Sequence, residues 1–385
     1  MMGFDFLEPI SDEFLVLLKS LSSQQLGSKV VFHTKDEFPD LNKVKIALIG
    51  VLENRGSVLE IENAGDLAVI RKDLYSMFPG NWDATIADLG DILPGNTKED
   101  TYFALRKVAS DLIKRKIIPV VIGGSQDLTY SLYRAYDELE QMVNLVAIDS
   151  KFDFGKEDEE MSNNSYLSRI IIDEPNNLFN FCNIGYQTYY NSQEEIDLIE
   201  KLFFDGYRLG EVANNIAIAE PVFRDADIVS MDLNAVKSAD SGNFNSFAPN
   251  GFNGKEICAL ARYAGISDKV SMFGVFNHNN TALESVLISQ IIWYFIEGYH
   301  YRSNEYPFGS RENYIKYSVP IDDETLVFYK SDRTDRWWIE IPFVTNGNNK
   351  LKRNTLLPCS YEEYLGACNQ ELPERWWKAQ RKNVI

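Results

Sequence analysis

The middle of the chain alternates short, almost unbroken apolar runs with stretches of mixed polarity at helical spacing. Lys45–Val51 (KIALIGV), Ala84–Asp88, Ile117–Ile122 and Val143–Asp149 read as strands, and so do Leu178–Ile184, Asp227–Asp232 and Val270–Phe276. Helical patterns lie between them: near Ala64–Met77, from Thr97 to about Lys116, from about Leu128, and over Glu194–Leu202, Gly254–Ala264 and Thr281–Tyr299. Thr97 followed by Lys98-Glu99-Asp100 is a helix start, an N-cap hydroxyl with acidic residues where the helix dipole favours them. Strands rich in Val and Ile throughout, rather than alternating with polar residues, are buried on both faces. The pattern predicts a doubly wound, mostly parallel sheet in a three-layer α/β/α sandwich. In such sheets chemistry gathers just past the C-terminal ends of the strands.

From about Tyr301 the pattern changes. Ser318–Pro320, Thr325–Lys330 and Trp337–Ile341 read as strands, with Ser331–Asp335 as a polar turn, and Trp337, Trp338, Trp376 and Trp377 crowd the tail. The tryptophans read as packing or as a binding cage. The expected organisation is an N-terminal segment 1–44 packed on the core, an α/β domain over 45–300, and a Trp-rich extension 301–385 packed on that same domain. There is no internal repeat and no low-complexity tract.

Composition narrows the classes of function. The 385 residues carry 57 Asp+Glu against 38 Lys+Arg, a formal charge of −19. That excess repels phosphate backbones and anionic lipid, so nucleic acid and membrane surfaces are not expected partners. The first residues, MMGFDFLEPISDEF, have neither the basic nor the apolar region of a signal peptide. No run reaches the roughly 18 apolar residues that a membrane-spanning helix needs. Cys182, Cys258, Cys359 and Cys368 are widely spaced with no C-x-x-C pair, which suits reduced thiols in a cytoplasmic protein. Cys182 and Cys258, in apolar surroundings, read as inert core thiols. Only three histidines are present, His33, His278 and His300, so a site needing several imidazoles has almost none to use.

Three segments follow buried strands directly: Gly123-Gly124-Ser125-Gln126-Asp127, Asp149-Ser150-Lys151-Phe152-Asp153 and Ser230-Met231-Asp232-Leu233-Asn234. Taken singly, each has a plain structural reading. Gly123-Gly124 is a tight strand-to-loop turn. An Asp at a strand end caps a helix or pairs with a cation as readily as it catalyses. His278 is either an interior or loop histidine or a side chain aimed into the cleft.

Together the three segments resemble the ureohydrolase superfamily of arginase, agmatinase and, most closely in layout, formimidoylglutamase. That family carries G-G-D-H-S, D-A-H-x-D and S-x-D-x-D at three strand ends. The resemblance extends to Asp88-Leu89-Gly90-Asp91 and to Arg71, and covers roughly residues 45–300. It implies an arginase-like fold. In the family, two His and four Asp bind two manganese ions that activate a hydroxide against a guanidine or amidine carbon.

Carried over by position, the two family histidines become Gln126, beside Ser125, and Lys151, and the last aspartate becomes Asn234. Asp149, Asp153 and Asp232 remain. Asn277 stands where the family has a substrate-orienting glutamate, and Asn163-Asn164-Ser165-Tyr166 occupies the region of its acid/base histidine. A protonated lysine cannot ligate metal. Its ammonium is expected among the carboxylates as an ion-pair partner, or else as an activated amine. These replacements imply loss of the binuclear manganese site, no cofactor, and a catalytically inactive pseudoenzyme acting as a binding, scaffolding or regulatory subunit. Its partner would be another protein or a second copy, or a cationic small molecule in the stripped cleft. The alternative is a hydrolase of amidine or guanidine C–N bonds whose Asp149, Asp153, Asp232, Asn234 and Gln126 hold manganese or another divalent cation.

Overall fold

The computed structural model describes residues 3–58, 67–139, 141–155, 159–244, 248–279, 281–305, 307, 311–322, 324–341 and 356–384. Nine strands form one parallel sheet: β1 (Val31–Phe32), β2 (Val44–Val51), β3 (Thr85–Ile92), β4 (Ile118–Gly123), β5 (Val143–Ile148), β6 (Leu178–Tyr186), β7 (Asp205–Arg208), β8 (Ile228–Asp232) and β9 (Met272–Phe276). Their spatial order is β1-β3-β2-β4-β9-β8-β5-β6-β7. The predicted strands are all present within a few residues, and the two edge strands β1 and β7 are additions.

Alternation within the buried strands builds two cores. Ile46 and Leu48 of β2, Val120 and Ile122 of β4, and Val229 and Met231 of β8 pack on one face with the Ala68–Ser76, Gly254–Ile266 and Ala282–His300 helices. Ala47 and Ile49, Val121, Leu145 and Ala147 pack on the other with the Lys98–Lys114 and Leu128–Arg134 helices. Burying an aliphatic side chain is worth roughly 1.5–3 kcal/mol, so both helical layers are held by the sheet they cover. The Lys98–Lys114 helix begins at a full capping box, with the Thr97 hydroxyl on the Asp100 N–H and the Asp100 carboxylate on the Thr97 N–H. The first residues of the predicted Ala64–Met77 helix lie outside the described residues; the helix is seen over Ala68–Ser76.

Arg71 on that helix ties it to β3. Its Nε donates to Asp88 at 2.8 Å and its Nη2 to Asp91 at 2.7 Å, while the Tyr75 hydroxyl also donates to Asp88.

The C-terminal extension is a four-stranded antiparallel sheet, β10 (Tyr314–Ile321), β11 (Glu324–Ser331), β12 (Trp337–Glu340) and β13 (Leu356–Cys359), followed by the Tyr361–Cys368 and Glu374–Val384 helices. Arg224, on the Ala219–Asp225 helix, fastens it to the α/β body. Its guanidinium donates to the carbonyls of Trp337 (3.1 Å) and Cys359 (2.9 Å) and lies 4.8 Å from the Trp338 ring centre. The tryptophans are packing groups: Trp337 stacks on Tyr364, and Trp376 donates its indole N–H to Glu340 O at 2.7 Å. No helix among the described residues is long and apolar enough to cross a membrane. Cys182, Cys258 and Cys359 are buried free thiols, all pushed up by burial.

Candidate functional site

The strand order sets β4, β9, β8 and β5 side by side, so the segments that follow them meet at one edge of the sheet. Ile148 pairs with Met231, and Asp232 pairs with Phe276. Asp149, Asp232 and Asn277 therefore emerge in neighbouring positions, with Gln126 arriving from β4. Gly124 is needed for the approach of the preceding loop, because a Cβ there would stand 1.8 Å from the Glu53 carbonyl oxygen.

Asn277 is the knot of the cluster. Its backbone N–H donates to Gly124 O at 2.7 Å, and its φ of 60° lies in the left-handed region that Asn tolerates better than most residues. Its side-chain Nδ2 donates to Asp232 Oδ1 at 2.9 Å and to Gln126 Oε1 at 3.5 Å. Its Oδ1 accepts from the Gln126 backbone N–H at 3.1 Å and from Asn163 Nδ2 at 3.4 Å. Gln126 Nε2 then reaches the Tyr166 hydroxyl at 3.3 Å and Ser230 Oγ at 3.4 Å, and Ser230 shares a 2.6 Å hydrogen bond with Thr129. Ser125, fully buried, donates to Glu53 O at 3.4 Å.

Two of the three aspartates serve local backbone first. Asp232 Oδ1 accepts the Asn234 N–H at 2.8 Å, and Asp149 Oδ1 accepts the Lys151 N–H at 2.9 Å. Asn234 Oδ1 accepts from Asn243 Nδ2 at 3.4 Å. All three carboxyls are at most 6% exposed. Burial pushes Asp149 up against the support of the Lys151 N–H. Burial and the adjoining Asp149 push Asp153 and Asp232 well above the usual carboxylate range. A buried carboxylate cluster without a paired cation relieves its charge by taking up protons.

Lys151 departs from the expectation of an ammonium paired among the carboxylates. It makes no ion pair among the described residues, and its side chain is only half-buried. What binds it into the site is backbone: its N–H caps Asp149 and its carbonyl accepts from Asn183 Nδ2 at 2.6 Å. Its positive charge still favours the ionised form of all three aspartates from a distance. The physical reason is the tight turn from Asp149 to Asp153, itself left-handed at φ 57°, which spends the lysine's backbone on the loop rather than its side chain on the acids.

The donors present do not fit a two-manganese centre. No imidazole stands at either histidine position, and an amide N–H donor is aimed at Asp232 where a cation would need the lone pair. Among the described residues no three His, Cys, Asp or Glu side chains are arranged to hold a metal ion. Asp149 Oδ2 is one of several buried side-chain oxygens among the described residues without a hydrogen-bond partner, with Asp127 Oδ1 and Asn183 Oδ1. His278 is buried beside Asn277 in sequence, at 1% exposure.

Sequence reasoning left out several members of the network. Tyr166, fully buried, faces the three aspartates and has its hydroxyl pushed well above its usual range by burial and by their charge. Asn163 closes over the cluster, joining Asn277 to the loop after β2 through Gly56 O and the Val58 N–H. The signal available was the polar run Asn163–Tyr166, which was read only as the place of a missing histidine. A second buried group sits beside the site: the Tyr102 hydroxyl donates to Asp127, and Glu53 is held by Arg55 and Thr101.

The fold recurs among solved structures. A formiminoglutamase from Trypanosoma cruzi, with Mn2+, superposes with a TM-score of 0.63 at 19% identity, covering 69% of this chain and 97% of its own. Formimidoylglutamase from Bacillus subtilis gives 0.62 at 17% identity over 69% and 90% of the two chains. Agmatine ureohydrolase of Thermoplasma volcanium gives 0.57 at 17% identity over 74% and 97%. No curated protein sequence matches the chain. The sequence pattern of the arginase family, however, matches residues 61–277, which takes in all three strand-end segments and Asn277. By that match, spanning more than half of its length, this chain belongs to the arginase family.

Proposed function

We propose that this chain is an arginase-family protein without the family's hydrolytic site, acting as a binding, scaffolding or regulatory subunit. The observation that carries this reading is the Asn277 side chain, which hydrogen-bonds Asp232, Gln126 and Asn163 at once and fills with amide donors the space that a metal pair needs as lone pairs. Ser125, Gln126, Lys151, Asn234 and Asn277 are then vestigial positions, and Asp149, Asp153 and Asp232 are retained ligand-type positions that carry protons in place of cations. No cofactor is required. The partner is a protein or a second copy; a charge of −19 disfavours nucleic acid and anionic membrane. Residues 1–44, 45–300 and 301–385 act as one folded unit. A cytoplasmic location fits the four free thiols.

The test pairs turnover with mutation. Purified protein given manganese is assayed on formimidoylglutamate, agmatine and arginine, alongside Asp232→Asn. The expected result is no turnover in either. Turnover in the parent that vanishes in Asp232→Asn would refute the reading.

A second reading rests on Asp149 Oδ2, a buried carboxylate oxygen without a hydrogen-bond partner at the cluster. It would let one hard cation sit among Asp149, Asp153 and Asp232 and support C–N hydrolysis of an amidine, as the names of the formiminoglutamase neighbours suggest. Activity lost in chelator and restored by one particular divalent ion would favour it.

A further inference from the structure

A cleft of about 530 Å³ opens at the seam between the α/β body and the C-terminal extension, and none of the three aspartates lines it. Edge strand β7 and the segment after it supply Tyr207, Glu211 and Pro221; the extension supplies Glu362, Arg375 and Lys378. The volume is that of a small-molecule site.

Arg375 is the unusual member. It is 9% exposed, yet it forms no ion pair among the described residues. Its Nη1 donates to Pro358 O at 2.9 Å, and its Nε has no partner. Burial opposes its charge, while Tyr207, Glu363 and Asp205 nearby hold the guanidinium protonated. Arg375 lines the cleft, and a buried guanidinium in a cavity wall with hydrogen-bonding capacity left over is a usual seat of a planar carboxylate.

The other charges of the cleft limit what can bring that carboxylate. Lys378 is already engaged by Asp205 at 3.4 Å and Glu374 at 2.7 Å. Glu363 is spent on the capping box of the Tyr361–Cys368 helix. Glu211 and Glu362 are left, both exposed and neither ion-paired among the described residues. A simple anion would be repelled at this rim, and a simple amine would leave Arg375 unanswered. A ligand carrying both signs answers both.

We propose that the seam cleft binds a small zwitterion, a free basic amino acid, with its carboxylate on Arg375 and its cationic end at Glu211 and Glu362. The ligand bridges body and extension, so binding stabilises their union by mass action. This site is independent of whether the aspartate cluster holds metal.

The test is titration calorimetry with L-lysine to about 10 mM, with cadaverine (no carboxylate) and hexanoate (no amine) as one-ended probes. Saturable binding of lysine is expected, with both one-ended probes at least about tenfold weaker. The double variant Glu211→Gln/Glu362→Gln, at exposed positions outside the packing, should weaken lysine at least about fivefold with thermal unfolding unchanged. Arg375→Lys should weaken lysine and leave cadaverine as it was. No saturable lysine binding, equal binding of a one-ended probe, or full affinity in the glutamine double variant would each overturn the proposal.

Discussion

The side-chain amide of Asn277 donates to Asp232 Oδ1 at 2.9 Å, across the ends of two paired strands. Both residues sit at positions where metal-dependent relatives would place acidic groups, according to the resemblance drawn from the motifs. At one of the two an amide N–H now donates to the other, so that Asp232 oxygen is engaged by a donor. The same amide group accepts from Gln126 N and Asn163, so it closes the loops after β4, β9 and the one over the site into one unit.

Removing Asn277 should therefore cost stability. Asn277→Gly keeps the left-handed backbone and loses the hydrogen bonds, leaving buried groups short of partners at about 1–3 kcal/mol. Asn277→Ala loses the same bonds and adds the left-handed strain, about 1–2 kcal/mol more. Urea unfolding of the two variants should rank parent above Gly above Ala. Equal stability of parent and Ala would show that the amide is not holding the cluster.

Arg224 is the fastening of the extension. It is buried, ion-paired to Glu220 at 2.9 Å, and bonded to carbonyls of β12 and β13. Arg224→Ala takes the side-chain donor from two buried carbonyls and leaves Glu220 with Arg336 at 3.5 Å, and should destabilise by roughly 1–3 kcal/mol. Limited proteolysis should then cut between the body and β10 sooner than in the parent. An unchanged digestion pattern would mean that the apolar contacts of Trp338 and its neighbours suffice alone.

Lys382 gives a pH signature. Burial pulls its ammonium down to about 8 from an ordinary value of 10.5, with Asp205 opposing the shift. Between about pH 8 and about pH 10.5 the unfolded chain binds more protons at this group than the folded one, so its contribution to stability rises with pH over that window. Below about pH 8 the folded state carries the full cost of the buried charge. Lys382→Met should therefore be most favourable relative to the parent near neutral pH, with the difference shrinking toward about pH 10.5. A difference independent of pH would contradict this.

The central strands were legible because β2, β4, β5, β8 and β9 are mostly apolar, and burial on both faces leaves that mark. The edge strands were not. Asp205–Arg208 (DGYR) pairs on one side only and carries no apolar run, and Val31–Phe32 is two residues long. The Tyr361–Cys368 helix has a readable start, Ser360 with Glu363 three residues on, but at eight residues it is too short to show a clear apolar period. At the site, which residues converge followed from strand order and the motifs. Where the Lys151 side chain goes did not, because loop geometry decides it: the Lys151 backbone N–H caps Asp149, and its ammonium forms no ion pair among the described residues. Tyr166 escaped notice since a single aromatic in a polar run gives no periodic signal.

The measurement that bears most directly on the account is metal stoichiometry by elemental mass spectrometry, on protein expressed and purified with manganese and then desalted. Below about 0.2 metal per chain is expected, since amides and a lysine stand in three of the six ligand positions that the resemblance assigns. One or two ions held per chain would contradict it, and would require Asn277 to swing off Asp232 to let them in.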